Sequence, residues 1–490
     1  MAYDDGLRDF IQALEKHGEL ARVKTPVSPI LEITEITDRV SKAGPERNKA
    51  LLFENVPGYE MPVLINALGS KRRIELALNV DDLNDLSTRV GELLALEMPK
   101  GLVDKLKKGT QVLEVARTVV PKIVKDGACQ EVVHTSAGAA LSRFPILQCW
   151  PQDAGRFVTL TTFITRDPAT GRRNVGTYRA QVFDDKTLGV HWQRHKGGTE
   201  HQRVAQVLKK EKIPVALSLG GDPATIWSGS APLPPDIDEM MLAGFLRGKP
   251  VELVPCKTVP LEVPAEAEII IEGWLDPNEQ RLEGPFGDHT GYYSLADFYP
   301  VMTISAITHR RDPIYPTTVV GKPPMEDYWM GKATERLFLP LMRLFLDEIV
   351  DVNMPAEGVF HNLVIVSIRK RYPGQARKVM YGLWGLGLMM LAKTIIVVDE
   401  DVDVHNLSEV AFEVLANYDP KRDVVIVEGA ADDLDHAALA KNYGGKLGLD
   451  ATRKRPRLDL GPMQSWPEEI EMAPEITALV DQKWRDYGLW

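Results

Sequence analysis

At 490 residues the chain is too long for one ordinary hydrophobic core, so two or three domains are expected. Hydrophobic residues make up 44% of it and charged residues 26%, with Gly and Pro dispersed, a globular composition that excludes a disordered or fibrous chain. The net charge of −11, from 58 basic and 69 acidic residues, argues against a nucleic-acid binder, whose affinity would rest on a basic surface.

The N-terminal MAYDDGLRDF has no apolar h-region, so no signal peptide is evident and a cytoplasmic chain is expected. Leu7, Phe10, Ile11 and Leu14 form the i, i+3, i+4, i+7 stripe of an amphipathic helix. Helical and strand-like stretches then alternate, as in LEITEITDRV and ALLFENVPG, through about residue 125. From about 130 to 320 the pattern turns to β: FVTLTTFITRD and NVGTYRAQVFD flank PATGRR as a hairpin, followed by TLGVHWQ, PVALSLGG, AEIIIEGWLD and VMTISAITHR. So many strands with few helices predict a sheet closed into a barrel-like domain. The stretch 331–350 reads as one connecting helix with Pro340 as a kink. Beyond it NLVIVSI, TIIVVDED and DVVIVEG alternate with helical stretches, a βαβαβ pattern that predicts a parallel sheet. The apolar run 379–392, bracketed by Lys378 and Lys393, is too short to span a membrane and reads as a buried helix.

The three cysteines, Cys129, Cys149 and Cys256, form no CxxC pair, which disfavours a disulfide framework and a zinc-thiolate site. More chemistry is concentrated in EGPFGDHTGYY, residues 283–293. Fully extended, the five steps from Glu283 to Asp288 would span up to ~17 Å, so the acids share a site only if the chain folds back. Pro285 can preset the second position of a β-turn, and Gly287 can accept whatever backbone the exit demands. Two carboxylates brought close do not both ionise cheaply, so one is expected to hold a proton near neutral pH and serve as general acid. Taken alone, the same residues also suit a solvated hairpin tip. Asn174 and Arg179 in NVGTYRAQ differ in parity, and a regular strand would point them to opposite faces. A bulge at Gly176, or Asn174 just outside the strand, would be needed to unite them. HWQRHKGG carries His191, His195 and Lys196, but with no HExxH pattern and a β context it is not read as a zinc site. Glu239 alone reads as an exposed acid at a helix start, and Lys446 in NYGGKLGLD as part of a solvated loop rather than a P-loop.

Together NVGTYR, HWQRHKGG, DPATI, EGPFGDHTGYY and KLGLDAT, in this order and spacing, resemble the UbiD-type decarboxylases that use prenylated FMN, and the resemblance runs essentially the whole chain. It implies an α/β plus β fold: an N-terminal α/β region over 1–125, a split β-barrel flavin-binding domain over 126–320, a linker helix within 321–350 and a C-terminal α/β oligomerisation domain over 351–490. It implies Asn174, His195 and Glu239 as ligands of a divalent metal, usually manganese, that anchors the flavin phosphate, a mixed O and N donor set suited to a hard or borderline cation. Thr177, Tyr178, Arg179, His191, Trp192, Gln193, Lys196 and Gly197 match flavin-contacting positions, with Lys446 a weaker match on the phosphate side. Potassium near the metal is a further family feature, without assigned ligands here.

The resemblance makes Arg179, Glu283 and Asp288 the catalytic network, with Asp288 delivering the proton and the other two holding charge and geometry. Loss of CO2 from an aromatic ring leaves an electron pair that ordinary side chains accept poorly, and the modified flavin is the sink. The implied partners are a small aromatic carboxylic acid, a flavin prenyltransferase that supplies the cofactor, and further copies of the chain in a dimer or hexamer. HWQRHKGG and the segments following 331 resemble the menaquinone-pathway branch, acting on a dihydroxynaphthoate, more than the ubiquinone branch, acting on a prenylated hydroxybenzoate. A prenylated substrate would place the protein at the membrane periphery. A plain FMN oxidoreductase and a non-catalytic flavin or metal scaffold are the rival classes, and the Arg-Glu-Asp set disfavours both.

Overall fold

The computed structural model describes residue 3 and residues 6–94, 117–194, 196–234, 237–454, 467 and 470–489. Helix Gly6–Lys16 buries Leu7, Phe10, Ile11 and Leu14, the stripe expected from the sequence. Beside it lies a four-stranded sheet in the order Leu20–Val23, Ala50–Phe53, Val63–Ile65, Tyr315–Pro316. The last strand follows the strands of the central sheet in the chain, so the N-terminal sheet is completed by a returning segment.

The central sheet runs in the order Phe157–Val158, Ala180–Val182, Thr187–Val190, Asp297–His309, Ile269–Glu283, Ile213–Leu219, Thr162–Arg166, Arg173–Thr177, with Val132–Thr135 added to Asp297–His309. Side-chain alternation fits a sheet with apolar contacts on both faces. Ile213, Val215, Leu217, Ile269 and Ile271 enter one core cluster, while Ala216 and Ile270 enter another with Met240, Val251 and Val263. Each such Ile, Val, Leu or Met side chain contributes roughly 1.5–3 kcal/mol of burial.

Among the described residues the sheet is curled but its two end strands do not pair, so it is an open half-barrel, in agreement with the split barrel that the resemblance implies. The curl follows from connectivity. Laid flat, the two end strands of this eight-strand path would lie about 34 Å apart. Yet Thr177, ending one edge strand, and Ala180, starting a strand near the opposite edge, are three Cα steps apart, a reach of at most ~11 Å. The hairpin over PATGRR is present along both arms: Thr162–Arg166 pairs with Arg173–Thr177, and beyond the bend Phe157–Val158 pairs with Ala180–Val182.

The connecting helix spans Glu326–Phe345, beginning earlier than expected and ending before 350; Pro340 lies inside it. The β-branched Ile349–Asn353 is instead a strand antiparallel to Leu363–Ile368. The C-terminal sheet has the order Ile349–Asn353, Leu363–Ile368, Thr394–Asp399, Tyr443–Asp450, Val424–Ala430. Its third parallel strand is Tyr443–Asp450, read from sequence as a loop, whereas Val424–Ala430 is an antiparallel edge. The apolar run 379–392 is not one helix either: helix Gln375–Trp384 stops before Gly385, and a half-buried 3-10 turn, Gly387–Leu391, follows. Among the described residues no helix is long and apolar enough to cross a membrane.

Candidate active site

Arg179 stands where the chain crosses the split, between Thr177 and Ala180. Its Nε donates to Glu283 Oε1 at 2.8 Å and its Nη2 to Glu283 Oε2 at 3.2 Å. Nη1 donates to Asp288 Oδ2, and Nη2 also reaches Ser294 Oγ at 3.0 Å. The guanidinium carbon lies 4.7 Å from the centroid of the Phe286 ring. Four N–H bonds are thus committed among the described residues, and of the five a guanidinium carries, one on Nη1 remains.

The required fold-back is present. Strand Ile269–Glu283 ends at Glu283, Gly284 takes φ of +87°, the Gly284–Pro285 peptide is cis, and Phe286–Gly287 pairs with Tyr293–Ser294. The backbone freedom is used at Gly284. Gly287 is needed for space instead, since a Cβ there would lie 2.1 Å from Trp150 Cδ1. Asp153 anchors the turn by accepting from Gly287 N at 2.8 Å and, through its other oxygen, from Trp150 N at 2.8 Å.

One sequence expectation is reversed. Neither carboxylate retains a proton in this arrangement, because Arg179 lies between them. Burial is the largest effect and raises both, but the Arg179 charge together with the hydrogen bonds from Arg179 and His191 to Glu283 and from His289 to Asp288 outweighs it, holding Glu283 at about 2 and Asp288 well below the usual carboxylate range. His191 Nδ1 lies 3.0 Å from Glu283 Oε2 and its ring centroid 4.2 Å from that of Tyr299. Burial, then the Arg179 charge, pushes this histidine down despite Glu283, so the neutral ring donates from Nδ1 and presents Nε2 as an acceptor.

Parity does not separate Asn174 from Arg179 in the way the sequence suggested. Asn174 is within strand Arg173–Thr177, paired with Thr165, and there is no bulge at Gly176. The strand ends instead, and Arg179 belongs to the crossing. Asn174 packs so closely on Gly197 that a Cβ there would meet its Oδ1 at 1.9 Å. Gly198 N points at Tyr178 Oη at 3.4 Å, and a Cβ on Gly198 would strike Trp192 at 2.7 Å. Asn174, Tyr178, Trp192 and the 197–198 glycines therefore form one tight cradle beside the arginine. Glu239 starts helix Glu239–Arg247, which Asp238 caps by accepting from Met240 N at 2.9 Å. Glu239 is half-buried rather than exposed, takes the Val175 N–H on Oε2 at 2.9 Å, and is pushed by burial up to about 7. His195 lies outside the described residues. Lys196 is pushed down by burial and countered by Asp432, while the Gln193 carbonyl accepts from Thr199 Oγ1 at 2.8 Å. Lys446 is on strand Tyr443–Asp450, and its Nζ donates to the carbonyls of Met390 at 2.6 Å and Ala392 at 3.0 Å, so its ammonium is engaged within the C-terminal domain.

The cradle has the marks of a missing polar partner. Thr177 Oγ1, His191 Nε2 and Trp192 Nε1 are buried without a hydrogen-bond partner among the described residues, although such groups are normally satisfied. These residues, with the glycine cradle, fit a planar heteroaromatic group carrying donors and acceptors along its edge.

The C-terminal domain covers this site. Tyr299 Oη donates to Asp433 Oδ2 at 3.3 Å, the ring centroid of His289 is 5.5 Å from that of Phe360, and Tyr292 packs on His436 at 4.0 Å. A cleft of about 640 Å³ lies between the 290–292 turn and C-terminal residues 356–362 and 434–437. Ser294 and Asp153 were not singled out in the sequence. Ser294 is opposite Phe286 in the two-stranded ribbon, a pairing that no local pattern marks.

Three successive family models describe the chain: the 3-octaprenyl-4-hydroxybenzoate carboxy-lyase N-terminal domain over 11–91, its Rift-related domain over 122–323 and its C-terminal domain over 328–451. The chain belongs to the UbiD family. This carboxy-lyase is 53% identical to an uncharacterized protein of Archaeoglobus fulgidus over 488 residues, 99% of each chain. Its fold matches the closed form of Sedimentibacter hydroxybenzoicus vanillic acid decarboxylase with a TM-score of 0.86 and 27% identity, over 100% of this chain and 99% of that one. The open form of that enzyme matches with a TM-score of 0.78 and 28% identity, over 99% of this chain and 98% of that one. The UbiD-class enzyme HmfF of Pelotomaculum thermopropionicum in complex with FMN matches with a TM-score of 0.79 and 28% identity, over 97% of this chain and 99% of that one.

Proposed function

We propose that this UbiD-family carboxy-lyase is a prenylated-FMN-dependent, non-oxidative and reversible decarboxylase of a hydroxyaryl carboxylic acid in quinone biosynthesis, with a menaquinone-type dihydroxynaphthoate as substrate. The observation that carries the reading is the Arg179–Glu283–Asp288 network beside the unpartnered edges of Thr177, His191 and Trp192. Asn174, Glu239 and His195 would hold a divalent metal, manganese by family resemblance, with potassium nearby, and the cradle around Tyr178, Trp192 and Gly197 would hold the flavin. When bound, that cofactor supplies the electron sink for the pair left by CO2.

The chain's own residues do the rest. Arg179 offers its remaining N–H to an anionic substrate and holds both carboxylates in place. Glu283, tied to Arg179 and His191, stays ionised, and Asp288 delivers the proton to the ring carbon that loses CO2. The 360 and 432–436 segments of the C-terminal domain cover the site, as exclusion of water from the reaction requires.

The test uses enzyme produced with a flavin prenyltransferase. In deuterated buffer, 1,4-dihydroxy-6-naphthoate should release CO2 and yield a product carrying one deuterium where the carboxylate stood, without NADH or an electron acceptor. Turnover of a short-chain prenylated 4-hydroxybenzoate alone would move the substrate to the ubiquinone branch. Absence of CO2 from a broad panel of aryl acids, with prenylated FMN bound in its oxidised form, would defeat the reading. Bleaching of the flavin by NADH would point to an FMN oxidoreductase instead.

A further inference from the structure

Asp288 divides its two oxygens. Oδ2 belongs to Arg179, while Oδ1 accepts from both the backbone N–H and the ring Nδ1 of His289, at 2.7 and 2.9 Å. Every element packed against His289 presents a titratable group. Its own turn brings Asp288, with Arg179 behind it, and the first turn of helix Glu326–Phe345 brings Asp327. The C-terminal domain brings His361, with ring centroids 6.1 Å apart, and Asp432, whose Oδ2 is 3.7 Å from His361 Nε2. Three separate parts of the fold thus converge on one imidazole, and the aromatic ring of Phe360 lies alongside it.

We propose that His289 is the proton reservoir of the site, a positioning residue that keeps Asp288 supplied with the proton it delivers in each turnover. The inference rests on the decarboxylase reading for its chemistry, and on the 288–289 geometry for the location of the proton. An acid paired with a buried arginine is a poor resting place for a proton, whereas a ring hydrogen-bonded to that acid is a good one. Burial alone lowers His289, but the hydrogen bond and charge of Asp288, then the charges of Asp327 and Asp432, turn the balance and raise it. Entry of an anionic substrate beside Asp288 raises that carboxylate, and the proton can then cross the 2.9 Å bond. The N–H bond on Nδ1 breaks as an O–H bond forms on Oδ1, converting an imidazolium–carboxylate pair into a neutral one. Asp288 passes the proton to the carbon and returns to the anion. The neutral His289 is recharged from solvent, and the charges of Asp288, Asp327 and Asp432 favour the return of its proton.

Two measurements decide it. The first needs no turnover: ring 15N shifts in 15N-histidine-labelled holoenzyme, with the His289 signal assigned by its absence in His289→Asn. His289 should stay an imidazolium above pH 7 and lose its proton at lower pH in Asp288→Asn. A neutral His289 ring at pH 6 would overturn the proposal whatever the enzyme's substrate. The second is the pH profile of kcat. Activity should fall as pH rises through the His289 ionisation. His289→Asn, which can still donate a hydrogen bond to Asp288 but cannot carry the proton, should lose about tenfold or more at neutral pH with its flavin spectrum intact. The alkaline limb set by the imidazole should vanish with it, leaving activity that already falls at lower pH. Asp327→Asn should shift that limb to lower pH. A uniform loss with an unshifted profile in both variants would reduce His289 to a structural contact and overturn the reservoir. If the 15N result holds while wild-type enzyme decarboxylates nothing, the fault lies with the proposed reaction and not with the location of the proton.

Discussion

Replacing Arg179 with glutamine removes the charge between two buried carboxylates while keeping a polar side chain of similar reach. Glu283 is fully buried and is held at about 2 against an ordinary 4.5, a difference worth about 3 kcal/mol at roughly 1.4 kcal/mol per unit. Coulomb's law gives the same scale, about 4 kcal/mol for charges ~4 Å apart at an effective dielectric constant near 20. The variant should therefore lose about 3–5 kcal/mol at pH 7.5, the cost expected when one partner of a buried ion pair is removed. The sign with pH follows. In the wild type the depressed Glu283 contributes stability that is fully present above 4.5 and is lost as pH falls from there through about 2. In the variant the guanidinium no longer opposes burial, so both acids rise from their wild-type values, with only His191 and His289 still holding them down, and they bind protons at higher pH than in the wild type, which eases the destabilisation as pH falls. Thermal melts at a fixed scan rate should show the gap between wild type and variant widest near pH 8 and clearly smaller near pH 5. A gap independent of pH, or no destabilisation near pH 8, would refute the placement of Arg179 as the charge that keeps Glu283 and Asp288 ionised.

Asp288→Asn keeps the shape of the turn and removes the acid, so flavin retention should survive while kcat falls by ~10²-fold or more; near-normal turnover would move the acid to Glu283. Glu239→Ala should lose flavin and metal together, read by the visible spectrum and elemental analysis of folded protein, and full retention of both would remove Glu239 from the ligand set. Gly197→Ala places a methyl 1.9 Å from Asn174 Oδ1, so the loop must shift; the variant should purify with a reduced flavin content and an unchanged far-ultraviolet spectrum.

Much of this was legible in the sequence where a local period or turn dictates structure. The 7, 10, 11, 14 stripe, the two-residue alternation of the central strands and the fold-back between Glu283 and Asp288 all depend on neighbours in the chain. The protonation of the acids was not legible, because it is set by Arg179, which lies 104 residues before Glu283. Tyr443–Asp450 was missed because its glycines hide a strand, Gly444 and Gly445 adjoining Lys446 and Gly448 following it. Val379–Ala392 was read too long because apolar content continues where Gly385 and Gly387 stop the helix. The family resemblance named the cradle residues, but the close approach of Asn174 to Gly197 belongs to geometry, as does the engagement of Lys446 with backbone carbonyls.

The crossing at Tyr178–Arg179 also bears on how the protein assembles. Strands Ile269–Glu283 and Asp297–His309 are consecutive, so this hairpin can form early and bring Glu283 and Asp288 near each other with little loop entropy to lose. Until Arg179 arrives, that hairpin carries two carboxylates that repel. The arginine comes from the junction of two strands on opposite sides of the split, and it can dock only when the curl of the sheet is complete. Its ion pairs are thus long-range contacts that favour the finished domain over partly folded forms. The clasp holding the open half-barrel in its curved shape and the cation of the candidate site are the same side chain, so mutational tolerance at position 179 should be limited by folding as well as by chemistry.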